Sequence, residues 1–184
     1  MKNIITLAIL TAIVLMPVQI NKAGNKDRAG QAGATELLIN PWGQSAGLHG
    51  MNSSFVHGAE AMRNNVAGLT FINKTQLVFA NSMWLKGSGV SVNALGFAQR
   101  LGENNVLGIN VFSLGFGEIP VTTVSAPEGN SGATFRPQLL NLGIAYARSF
   151  SNSIHVGFQF NLINHSIADA NATGAAFDMG IQYV

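Results

Sequence analysis

The sequence predicts an all-β protein: an antiparallel transmembrane β-barrel wall of about six strands, preceded by a small N-terminal plug containing a short helix. Three observations predict it. From Thr75 onward, segments of 11 or 12 residues alternate between large apolar side chains and small or polar ones. The second face of those segments is small and nearly uncharged, a poor surface toward water and a suitable lining for a barrel. Finally, 47% of the 184 residues are hydrophobic and only 10% charged, where soluble domains carry roughly 25% charge.

The elements follow in chain order. Met1-Lys2-Asn3 is a short positive start, and Ile4 to Met16 is an apolar run of 13 residues closed by Pro17. This is the pattern of a secretory signal peptide, too short for the ~20 residues of a spanning helix. Cleavage is expected near Ala23-Gly24, giving a signal peptide over 1–23, although Asn21 is a poor match to the small residue expected at its position. A buried N-terminal helix of a cytosolic protein is the alternative. Without Lys2 and Lys22 the ten basic residues become eight, equal to the eight acids. They are scattered singly, so the footprint of a nucleic-acid binder is missing. With no Cys, disulfide frameworks and thiol chemistry are excluded. Residues 24–34 read as a flexible leader and 35–72 as the Gly-rich plug, with its short helix around His57 to Arg63.

The barrel portion is expected over 73–184. Leu140, Leu142, Ile144, Tyr146 and Phe150 alternate with Asn141, Gly143, Ala145, Ala147 and Ser149. Ile154 to His165 and Thr173 to Tyr183 repeat this pattern, and Thr75 to Leu85, Val90 to Leu101 and Asn105 to Phe116 do so less cleanly. Arg148 is the one charge on the large-residue face, near a strand end where it can snorkel. Turns at Gly102-Glu103-Asn104 and Ser151-Asn152-Ser153 are short, whereas Gly117 to Phe135 is long and polar, the habit of outer-membrane barrels. A soluble β-sandwich is the competing architecture. Six strands fall short of the roughly eight with which single-chain barrels begin, so the chain is expected to be the N-terminal part of a longer barrel, with assembly of several copies as the alternative.

A family resemblance enters through three stretches. Glu36-Leu37-Leu38-Ile39-Asn40-Pro41, Ser45-Ala46-Gly47-Leu48-His49-Gly50 and Asn65-Val66-Ala67-Gly68-Leu69 resemble the N-terminal region of PorV/PorQ-type outer-membrane proteins, relatives of the long-chain fatty acid transporter FadL. Val66 stands where that family has proline. Gly115 to Ile119 and Ile167 to Asp178 also look like family segments. The resemblance implies a FadL-like barrel of about fourteen strands with a plug in its lumen. The plug motif would comprise Gly47, Leu48, Gly50, Asn65, Ala67, Gly68 and Leu69. It further implies an outer-membrane location and association with type IX secretion, through exported cargo domains or translocon proteins. A conduit for hydrophobic small molecules is the alternative function.

No catalytic, cofactor or metal site is expected. Gly43-Gln44-Ser45-Ala46-Gly47 matches the G-x-S-x-G nucleophile elbow, but neither the preceding strand nor the following helix of an elbow is evident. His155 and His165 share a strand face ten residues apart, about 33 Å along an extended chain, and cannot share an ion. His49, His57 and Glu60 fall within the plug, and Asp178 is expected to face the lumen.

Overall fold

A computed structural model describes residues 34–84, 86–129 and 132–184. The signal peptide expected at 1–23, all but the last residue of the leader at 24–34, and Leu85 lie outside the described residues. Among those described, no helix is long and apolar enough to cross a membrane.

The fold is all-β, with long strands β1 (Thr75–Trp84), β2 (Val90–Leu101), β3 (Asn105–Gly115), β6 (Gln138–Ser149), β7 (Ile154–Ile167) and β8 (Ala170–Tyr183). They form one antiparallel sheet in the order β1-β2-β3-β6-β7-β8, each strand beside its neighbour in the chain. Two short strands, β4 (Ile119–Pro120) and β5 (Thr134–Phe135), pair within the long β3–β6 connection. The long polar loop expected over Gly117 to Phe135 thus carries a two-residue ribbon at its base. The β7–β8 ladder also runs further than the alternation suggested, to Ile167 opposite Ala170, closed by a two-residue turn in which Ala168 adopts φ 51°. Ala168-Asp169 lacks the Asn-Gly or Asp-Gly signature of such turns. This tight turn lies at the same end of the sheet as the long connection, so the expected division into a short-turn end and a long-loop end is corrected.

Residues 34–72 cover one face. The short helix expected around His57 to Arg63 is a 3₁₀ turn at Ala59–Arg63; two more lie at Thr35–Leu38 and Val66–Phe71, and the one α-helical turn among the described residues, α1, is Gly43–Gly47. Gly58, at φ 83°, opens the Ala59–Arg63 turn, and Asn65 returns to extended backbone at φ −154°. Only a handful of residues separate the two, room for the tighter helix that proteins use in short pieces.

Register aligns like with like. Leu77, Phe97, Ile109, Ile144, Phe160 and Phe177 stand opposite one another in a single row across all six strands, and every one is exposed. The opposite face carries the row Val78, Gly96, Asn110, Gly143, Asn161 and Ala176. The N-terminal segment packs there in two clusters. Met62, Val66, Leu69 and Ile72 meet Ala98, Val106, Ala145 and Ala147, while Trp42 meets Val92, Ala94, Phe112, Leu114 and Leu139. The core therefore sits between segment and sheet, and most of the sheet's large apolar side chains lie outside it.

Candidate functional site

Glycine and alanine on the covered face let backbone approach backbone. A Cβ at Gly157 would fall 2.5–2.7 Å from the Val66 and Ala67 main chain, and one at Gly180 would overlap the Asn65 amide. Into that space Asn65 sends its side chain. Its Oδ1 accepts from Ala67 N (3.2 Å), capping the Val66–Phe71 turn, and its Nδ2 donates to Ser53 O (2.8 Å) and to Ile181 O of β8 (3.0 Å). Gln182 Nε2 adds a bond to Ser54 O (2.7 Å). On the other flank, Arg100 of β2 donates to the carbonyls of Thr70, Ile72 and Glu103. Thr70 donates to Ala67 O (2.8 Å), which leaves its oxygen to accept from His155 Nδ1 at 2.8 Å. His155 and His57 both pack against the Phe71 ring, at 4.4 and 4.0 Å between centroids.

Arg63 fastens the start of the segment. Its Nη2 donates to Leu37 O and to Ile39 O, and its guanidinium lies 4.5 Å from the centre of the Phe112 ring. Asn40 donates to Asn64 (2.6 Å). Burial pulls the Arg63 pKa down to about 10, against which the negative charge of Asp178 acts; the side chain stays cationic at neutral pH. Burial likewise pushes the Glu60 carboxyl above its usual range, and its Oε2 is enclosed without a hydrogen-bond partner among the described residues.

Leu37, Arg63 and Asn64 line two chambers. One, of about 550 Å³, is lined mainly by apolar groups, among them Leu37, Leu38, Ile39, Pro41, Trp84 and Val92. The other, of about 480 Å³, lies against β6, β7 and β8 and presents Asn141, Gln159, Asn161 and Asp178 opposite Arg63, Asn64 and Asn65. Here a hydrogen-bond chain crosses the sheet. Asn110 Nδ2 donates to Gln159 Oε1 (2.9 Å), Gln159 Nε2 to Asn161 Oδ1 (2.8 Å), and Asn161 Nδ2 to Asp178 Oδ2 (2.6 Å). Asn110 spans β6 because Gly143 leaves room for its amide.

The expected plug residues divide into two groups. Asn65, Ala67, Gly68 and Leu69 are brought together at the sheet. Ala67, Gly68 and Leu69 are buried, and Gly68 admits no side chain because a Cβ would overlap Val56 O. Gly47, Leu48 and Gly50 instead lie at the end of α1 and in the following turn, where a Cβ on either glycine would meet nothing within 4 Å. Gly50 takes φ 72°, a conformation that favours glycine. Ser45, the centre of the G-x-S-x-G match, is buried inside α1 and accepts a bond from Asn52 Nδ2 at 2.9 Å; no strand leads into it. Asp178 does reach the segment-covered face. Sequence reasoning missed Arg63, Arg100 and the Asn110–Gln159–Asn161 chain. Isolated cations in apolar surroundings and amides at alternate positions of β7 were the available signals. No protein-family model matches this chain, and no curated protein does either.

Proposed function

We propose that this chain forms a membrane-embedded wall of an outer-membrane barrel of PorV/PorQ type, with residues 35–72 as its plug, and that the assembly binds type IX exported cargo or translocon proteins. One observation carries the membrane reading. The apolar row from Leu77 to Phe177 is exposed across the full width of the sheet, while the small and polar face is the one covered. Water would penalise that inversion and hydrocarbon favours it. The strands, of 10 to 14 residues, have the length a tilted crossing needs. Among the described residues β1 and β8 are the edges of the sheet, and in lipid such edges call for further strands, because unpaired backbone groups cost several kcal/mol each there. The motif residues Asn65 to Leu69 support the family assignment by being the ones that seat the plug.

For the cargo reading, the long connection that carries the β4–β5 ribbon supplies a contact surface at one end of the wall. Epitope-tagged protein solubilised from outer membranes is expected to co-purify exported proteins or translocon components. Recovery without them refutes the secretion role and leaves the wall assignment standing. A hydrophobic-solute conduit is the second reading, favoured by the 550 Å³ apolar chamber beside Trp84. Slower uptake of long-chain hydrocarbons on deletion would select it.

A further inference from the structure

We infer that the polar chamber between Arg63 and Asp178 is a binding site for a neutral polyhydroxylated molecule of the mono- or disaccharide class. Three groups converge on it with hydrogen-bonding capacity unspent among the described residues. Asn141 is 2% exposed and lines the chamber, and no hydrogen bond among the described residues uses its side-chain amide. Its amide is therefore open to whatever fills the chamber, where a hydroxyl can pair with both its donor and its acceptor. Asp178 uses Oδ2 for Asn161 and keeps Oδ1 free, while Arg63 uses Nη2 for two carbonyls and keeps Nε and Nη1. The two charges form no ion pair within 4 Å; the one such pair among the described residues is Arg136–Glu118. A gap therefore separates a donor from an acceptor, and the chamber's volume of about 480 Å³ falls in the range of small-molecule sites.

The chemistry of these groups selects the ligand class. All three bonds of the Asn110–Gln159–Asn161–Asp178 chain run in one direction, so aligned amide dipoles already stabilise the carboxylate. Two carbonyls and an aromatic face do the same for the guanidinium. Both charges are thus largely compensated, and what remains is a set of directed single donors and acceptors. A hydroxyl both donates and accepts, as Asn141 requires, and neighbouring hydroxyls can reach Asp178 and Arg63 at once. An anion would meet Asp178 and a cation would meet Arg63. This differs from both functions proposed above, neither of which calls for a polar ligand.

Saturation-transfer NMR on the full chain in an amine-oxide detergent, which carries no sugar, tests this with maltose as the probe. Saturable maltose binding is expected, with no displacement by glycine betaine, a zwitterion. Asp178→Asn keeps an oxygen for Asn161 but turns the free acceptor into an N–H donor, and should weaken binding about tenfold or more. Asn141→Ala should weaken it as well, with both variants checked for an unchanged thermal transition. The inference is overturned by absence of saturation at tens of millimolar maltose, by displacement with glycine betaine, or by wild-type binding in both folded variants.

Discussion

At the residue scale, the tightest constraints are steric. Gly68 lies where any Cβ would run into Val56 O, and Gly180 where it would run into Asn65, whereas Gly174 has open space around it. Gly68→Ala and Gly180→Ala should each cost about 1–3 kcal/mol through overpacking. Gly174→Ala should be near neutral, a contrast that thermal denaturation of the three variants reads directly. Glu60 gives a pH-dependent counterpart. Its folded pKa is raised, so the folded state holds the proton more firmly than the unfolded one. Stability is therefore greatest below the ordinary carboxylate pKa and declines as pH rises through the shifted value. Glu60→Gln should raise the melting temperature at pH 7, and the advantage should fade at pH 4. Melting curves at both pH values check it. Such constraints were only half legible beforehand. The Asn65 to Leu69 motif stood out in the sequence, but nothing there indicated that Gly157 and Gly180, about a hundred residues away, exist to admit its backbone.

At the element scale, the N-terminal segment is held by side-chain bonds to carbonyls more than by its own helices. Its four helical pieces have four to six residues each, far below the length at which isolated helices become stable. Asn65→Ala removes a cap worth about 0.5–2 kcal/mol together with the tether to β8. Residues 56–72 should then exchange amide hydrogens faster than in the wild-type chain while β6 and β7 stay protected, a difference that hydrogen-exchange mass spectrometry resolves. Alternation located the strands well because burial on one face enforces a period of two. Their ends were less legible. The β7–β8 hairpin continues through residues whose side chains are mostly exposed, where no burial pattern marks the strand, and the 3₁₀ turns follow from spacing between backbone specials rather than from apolar periodicity.

At the scale of the whole molecule, the question is what surrounds the sheet. Ile144, 64% exposed at the centre of the apolar row, discriminates sharply. If that face meets lipid, Ile144→Arg should destabilise by about 2–4 kcal/mol near the bilayer midplane. A water-facing sheet would tolerate the arginine with little effect. Refolding into lipid vesicles at graded urea measures the difference, and extraction by carbonate instead of detergent would sink the membrane reading outright.

The sequence by itself determined the six long strands and their two-faced chemistry, because side-chain alternation is a local property of an extended chain. It also marked the segment before Thr75 as a separate unit, through its glycine content and its lack of alternation. Only the tertiary structure decided which face is covered and by what. It joined Arg63 to the carbonyls of Leu37 and Ile39, ran an amide chain across the sheet to Asp178, and left Asn141 facing a polar chamber. Those contacts link residues tens of positions apart on different strands, so they depend on register and backbone approach, which no local pattern encodes.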